Sequence, residues 1–215
     1  MAQARTRYRT PTRRPAGTCR LEKKLPNALA QVVGSFAKSQ PLRLMFQDEA
    51  RFGRISDCRY CWAPYPLRPT VKAMLTHQYV YAYAAVSPMD GSVDSLVLPA
   101  VNGACMALFL AEVARRHPKE NIVMVLDGAG WHHGAMALPP NLKLHFLPPY
   151  SPELNPVEQL WAHLREKHFH NRAFDSLDAL EEHLVDALRE LESHPDIAKS
   201  ITLWPWIIDA VSNAN

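Results

Sequence analysis

Five apolar residues in a row, Ile122 to Leu126 in NIVMVLDGAGWHH, end at Asp127 with Gly128 and Gly130 close behind. A run this short, apolar and unalternating reads as a strand covered on both faces, as in the centre of a mixed or parallel sheet. Upstream, GACMALFLAEVARRHP repeats Met106, Phe109, Leu110 and Val113 at helical spacing, with Arg115 and Arg116 suited to its C-terminal end and Pro118 as a stop. Strand, helix, strand implies a right-handed crossover, with ligands expected near the carboxyl ends of the strands. The fold class is therefore α/β.

The remaining segments extend this pattern. In LRLMFQDEARF, Leu42, Leu44, Phe46 and Asp48 share one face by period-two alternation, so an apolar strand face finishes in a carboxylate. THQYVYAYAAVS has strand composition, and Asp90-Gly91 marks a hairpin turn into SVDSLVLPAV. NLKLHFLPPY is a further short strand. SLDALEEHLVDALRELE is an amphipathic helix with Leu177, Leu180, Leu184, Leu188 and Leu191 on one stripe and Ser176 as N-cap. LPNALAQVVGSFAKSQ reads as a short helix ending near Gly34.

In LPPYSPELNPVEQLW, Asn155 suits an N-cap and Pro156 the first helical turn, which puts Glu158 at the third helical position. Glu158 can thus close a capping box with Asn155, or do chemistry. Val157, Leu160, Trp161 and Leu164 form the buried stripe of that helix, while Glu153 lies earlier, in a proline-bounded loop. Asp48, Asp127 and Glu158 belong to separate elements, and three such carboxylates at one end of a sheet would repel without cations. Oxygen-only ligands favour Mg²⁺ or Mn²⁺, and two such ions about 3.5 to 4 Å apart activate an attacking oxygen and stabilise a leaving oxygen at a phosphodiester.

FQDEARFG, VLDGAGWHH and LPPYSPELNPVEQLW closely resemble the three signature blocks of DDE transposases, in the bacterial insertion-sequence branch of the mariner superfamily. The likeness runs from about Leu42 to the closing LWPWI, and the third block is its most specific part. It implies an RNase H-like fold, a mixed sheet flanked by helices, with a two-metal site using Mg²⁺ or Mn²⁺. It further implies cleavage of DNA at transposon ends and joining of the freed 3′ hydroxyl to a target. The resemblance assigns the catalytic, metal-holding triad to Asp48, Asp127 and Glu158, leaves Glu153 to the loop, and favours His132 as an auxiliary residue through a D-x-x-x-W-H pattern. Asn155 is the other auxiliary candidate. Members of the family carry a long N-terminal helix-turn-helix region, whereas about forty residues precede the first catalytic strand here. The expectation is a catalytic half, served by a separate helix-turn-helix subunit or frame and acting as a homodimer.

Three segments follow from this reading. Residues 1–24 form a flexible basic arm, 25–40 a linker or short helix, and 41–215 the RNase H-like DDE catalytic domain. The formal net charge is only +3, yet the arm carries Arg5, Arg7, Arg9, Arg13 and Arg14 among its cations against one acid, Glu22. Such an arm suits DNA phosphates, and Lys167, with Arg51, Arg54, Arg165 and Arg172, is a candidate contact near the site. Pro11 and Pro15 disfavour the amphipathic helix of a transit peptide.

Cys58 and Cys61 form a CRYC pair without the second pair a zinc site needs. Four cysteines are too few for a disulfide scaffold at this length. No apolar run approaches the roughly 18 to 20 residues of a membrane span. The expected setting is cytoplasmic and nucleoid-associated. Two alternatives remain open: a catalytically idle remnant that binds DNA or a full-length partner, and a general RNase H-like nuclease.

Overall fold

The computed structural model describes residues 27, 31–32, 34–36, 40–54, 62–67, 70, 77–128, 137–149 and 151–212. Five strands form one sheet in the order β3-β2-β1-β4-β5. They are β1 (Leu42–Gly53), β2 (Tyr79–Ser87), β3 (Ser92–Leu98), β4 (Asn121–Leu126) and β5 (Leu142–Phe146). β1, β2 and β3 pair antiparallel, and β1, β4 and β5 pair parallel. The Asp90-Gly91 turn closes the antiparallel hairpin of β2 and β3. Gly91 has φ 77 and its N–H bonds to the Ser87 carbonyl at 2.8 Å, while Asp90 Oδ1 accepts from the Ser92 N–H.

Gly91 is required for a second reason. A Cβ there would sit 1.9 Å from the Pro195 carbonyl oxygen, a clash against backbone that no side-chain rotation relieves. Gly91→Ala is expected to lower stability by about 3 kcal/mol, combining the left-handed conformation with displacement of the helix that begins at Pro195. A shift in the urea midpoint measures it; an unchanged midpoint would mean that this contact yields freely.

Each face of the sheet buries its own core. Helix α1 (Gly103–Arg116), capped where Asn102 Oδ1 accepts from the Cys105 N–H, lays Met106, Phe109, Leu110 and Val113 on Met45, Tyr83, Met124 and Leu126. The other face carries α2 (Val157–Leu164), α3 (Leu177–Ser193), α4 (Pro195–Thr202) and α5 (Pro205–Ser212). There Leu44, Phe46, Val123 and Val125 meet Leu160, Trp161, Leu184, Leu188 and Ile207. Every residue of β4 is buried, because helices cover it on both faces and strands flank it on both edges.

Several expectations hold in detail. The stripe of α3 is buried at Leu180, Leu184, Leu188 and Leu191, and Ser176 Oγ caps it by accepting from the Ala179 N–H. Of the segment 25–40, residues 27, 31 and 32 are helical and 34–35 form a turn; most of its remainder lies outside the described residues, as does the arm 1–24. No helix among the described residues is long and apolar enough to cross a membrane.

Candidate active site

Register brings two of the acids together. Phe46 on β1 pairs with Val125 on β4, the last pair of that ladder. Two residues further along each chain, on the face that already holds Leu44, Phe46, Val123 and Val125, come Asp48 and Asp127. The third acid arrives from the connection after β5. A single turn of 3-10 helix, Pro152–Leu154, delivers the chain to Asn155, and α2 then starts with Glu158 in its first turn. Asp48, Asp127 and Glu158 line one cavity of about 600 Å³, together with Phe146, Ser151 and Asn155. Its position at the carboxyl ends of parallel strands β4 and β5 is where an α/β sheet opens to a ligand.

The capping box does not form. Asn155 Oδ1 accepts from the Val157 N–H at 3.2 Å, and the Asn155 N–H goes to the Pro152 carbonyl at 2.9 Å instead of to Glu158. The 3-10 turn occupies the donor that the box would use, so the Glu158 side chain stands exposed at the cavity. Asn155 is itself buried, and its Nδ2 donates to the Gln47 carbonyl at 2.9 Å. The N-cap position of α2 falls on Pro156, one residue later than expected, so the Asn155 amide braces the turn into the helix and ties it to β1 beside Asp48.

A second tie is made by Trp161. Its buried indole Nε1–H donates to Asp48 Oδ2 at 2.9 Å, and its ring meets Phe52 edge-on. Asp48 has its pKa pushed up to about 7, chiefly by burial, then by the charges of Glu158 and Glu49, against the lowering effect of the Trp161 bond. Trp161→Phe keeps the packing and removes the donor. The expected outcome is an Asp48 carboxyl that titrates still higher, followed by NMR, and a stability loss of about 1 kcal/mol. An Asp48 pKa unmoved by the substitution would mean that the bond is absent in solution.

The donor set suits a hard cation: three carboxylates, with Asp48 resisting ionisation beside Glu158 until positive charge arrives. As the side chains stand, no group of three His, Cys, Asp or Glu residues among those described is arranged to hold an ion. Glu49 falls on the opposite strand face, and neither it nor Glu153, exposed in the 3-10 turn, lines the cavity. Lys167 is exposed on the π-helical turn Arg165–Phe169 that continues α2. Residues Arg5, Arg7, Arg9, Arg13, Arg14, Cys58, Cys61, Trp131 and His132 lie outside the described residues. The two ties through Asn155 and Trp161 have no signal in the sequence, where Trp161 reads as core and Asn155 as a cap.

A family profile described as DDE superfamily endonuclease matches residues 43–181. Protein y4pE/y4sA of Sinorhizobium fredii (strain NBRC 101917 / NGR234), itself uncharacterized, is 38% identical over 130 residues, 60% of this chain and 96% of that protein. In structure the chain resembles the Mos1 transposase catalytic domain solved with raltegravir and Mn. That match has a TM-score of 0.53 at 15% identity, over 95% of this chain and 98% of that one. The Mos1 mariner paired-end complex with Mn gives 0.54 at 16% identity, over 100% of this chain and 67% of that one. The shared architecture is the RNase H-like mixed sheet flanked by helices.

Proposed function

Since the chain belongs to the DDE superfamily of endonucleases, we propose that it is a transposase catalytic domain that cuts DNA at transposon ends and transfers the freed 3′ hydroxyl to a target. The observation that carries this reading is the convergence of Asp48, Asp127 and Glu158, from three separate elements, on one cavity at the strand ends. The signature blocks and the fold match with transposase structures support it. The basic arm, with Arg5, Arg7, Arg9, Arg13 and Arg14, and the exposed Lys167 belong to the same reading as DNA contacts. So do a separate helix-turn-helix part for end recognition and a paired subunit.

Asp48, Asp127 and Glu158 are the residues that would hold Mg²⁺ or Mn²⁺, which supply the positive charge that lowers the pKa of an attacking hydroxyl and offsets charge on a leaving oxygen. The protein's own contribution is placement. Trp161 donates to Asp48 Oδ2 and so fixes the orientation of a carboxylate that lines the cavity. Asn155 fixes the start of α2 against the Gln47 backbone, which sets how far Glu158 stands from Asp48. Held this way, the backbones that carry Asp48 and Glu158 are fixed relative to one another, and the side chains have only to turn toward an incoming cation. The cavity wall of Phe146, Leu147, Pro148 and Pro149 limits the water that surrounds it.

The deciding experiment incubates the full chain with labelled duplex and nicked DNA in Mg²⁺ or Mn²⁺, and follows Mn²⁺ binding in parallel. Metal-dependent strand cleavage is expected, with strand transfer when a 3′-hydroxyl end is supplied. Neither cleavage nor Mn²⁺ binding would sink the reading in favour of an idle remnant.

A further inference from the structure

Most of the described arginines have polar partners, Arg172 among them, with its Nη1 3.3 Å from His183 Nε2. Arg43 pairs with Glu120 and Asp90, Arg115 with Glu112, Arg116 with Glu112 and Asp94, and Arg189 with Asp186. Arg54 is buried and donates to the Phe174 and Asp175 carbonyls and to Gln78. Arg51 and Arg165 differ. The Arg51 guanidinium lies over the Tyr79 ring at 4.4 Å, and that of Arg165 over the Phe52 ring at 5.3 Å. Neither has a carboxylate partner among the described residues. An aromatic face orients a guanidinium without using its in-plane N–H donors, which stay free for a planar or tetrahedral oxyanion.

Their placement follows the candidate site. β1 outruns β4: the parallel ladder stops at Phe46, while pairing with β2 continues to Gly53. Beyond Phe46 one edge of β1 therefore carries no strand among the described residues. Helix α2 lies along this stretch in the same direction as β1. Asn155 touches Gln47, Trp161 touches Asp48 and Phe52, and Arg165 reaches Phe52. From Asp48 to Arg51 is three residues of strand, roughly 10 Å. From Glu158 to Arg165 is two helical turns on one face, again roughly 10 Å. Each element thus presents a carboxylate and, a similar distance further along, an arginine held by a ring.

We infer that Arg51 and Arg165 form a phosphate-binding subsite for the DNA strand as it leaves the carboxylate cavity along the open edge of β1. The subsite rests on the nuclease reading above and adds a direction to it. Three acids at the reacting centre repel a polyanion, and two cations beyond them return attraction where it does not interfere with metal binding. Arg51 stands on the α1 side of β1, over Tyr79 of β2, and Arg165 on the α2 side, over Phe52, so each face of the projecting strand carries one cation. Phosphate contacts of this kind set register without reading sequence.

The test is the salt dependence of binding to labelled duplex DNA, without divalent metal, for the full chain. Arg51→Gln and Arg165→Gln should each lower the slope of log K against log salt by about 0.9, and the double variant by about 1.8. Arg51→Lys and Arg165→Lys should keep the wild-type slope, because charge and not stacking releases the counterion. Arg115→Gln, already neutralised by Glu112, should leave it unchanged. Should a glutamine variant fail to fold, phenylglyoxal modification of the wild-type chain gives the same information. DNA should then protect Arg51 and Arg165 and not Arg115. Unchanged slopes in folded glutamine variants, or no protection of either arginine, would overturn the subsite. A changed slope in a chain that never cuts DNA would uphold the subsite and overturn the catalytic reading instead.

Discussion

Asp127→Ala and Glu158→Gln should each reduce metal-dependent DNA cleavage by at least roughly 10³-fold, about 4 kcal/mol of lost transition-state stabilisation at 1.36 kcal/mol per decade. Both side chains reach the cavity from rigid positions, one just past a fully buried strand and the other in the first turn of α2. The Glu158 carboxylate plays no part in a capping box with Asn155, whose own N–H is taken by Pro152. Glu158→Gln should therefore melt like the wild type, which separates loss of chemistry from loss of structure. Glu153→Gln is the matched control. It removes a carboxylate five residues away in the same proline-rich block, exposed and outside the cavity lining, and should cut DNA at the wild-type rate. Single-turnover cleavage measures all three. An Asp127→Ala protein that still cuts normally would place the reaction somewhere else.

Asp48→Asn should also stop cleavage, yet make the metal-free protein more stable at pH 8. An unfolded aspartate ionises near 3.9, whereas Asp48 in the folded chain holds its proton up to about 7. Below about pH 4 both states are protonated and the residue costs nothing. As pH rises from about 4 to about 7 the unfolded chain ionises first, so folding loses stability progressively, and the full cost persists above 7. Three pKa units correspond to about 4 kcal/mol as an upper figure, reduced by the water that the open cavity admits. Asparagine keeps an oxygen for the Trp161 N–H and removes the buried charge, so its advantage should grow over that pH window and vanish near pH 4. Mg²⁺ should stabilise the wild type at pH 8 and do much less for the variant. Urea unfolding of both proteins at several pH values provides the measurement. A difference in stability that does not vary with pH would show that Asp48 ionises freely in the folded state.

The local architecture is legible in the amino-acid sequence, because each of its signals is short in range. A run such as Ile122–Leu126 without alternation has no solvent face to offer, and β4 is buried throughout. The leucine stripe and Ser176 of α3 carry their period and their cap within one segment, as does the Asp90-Gly91 turn. Period two is enough to put Asp48 on an apolar strand face, and the likeness of the signature blocks is enough to pick out as candidates three acids that line one cavity.

What tertiary structure alone decided is how those acids are held. Asn155 bonds to a residue 108 positions away and Trp161 to one 113 positions away. Sequence offered a nearer partner for each: a capping box for Asn155, an apolar stripe for Trp161. The box failed because a 3-10 turn, formed where Pro152 follows Ser151, consumed the donor it needed. Trp161 did join the core, and a buried indole N–H must then find an acceptor, which in this fold is the carboxylate of Asp48. The same holds for Arg51 and Arg165, whose aromatic supports come from a neighbouring strand and from the strand beneath the helix. Propensity and periodicity act over a few residues, so they determined the elements, while the likeness of the signature blocks singled out the three acids as candidates. The bonds that aim those acids cross from helix to strand, and they exist only once the sheet has set its register.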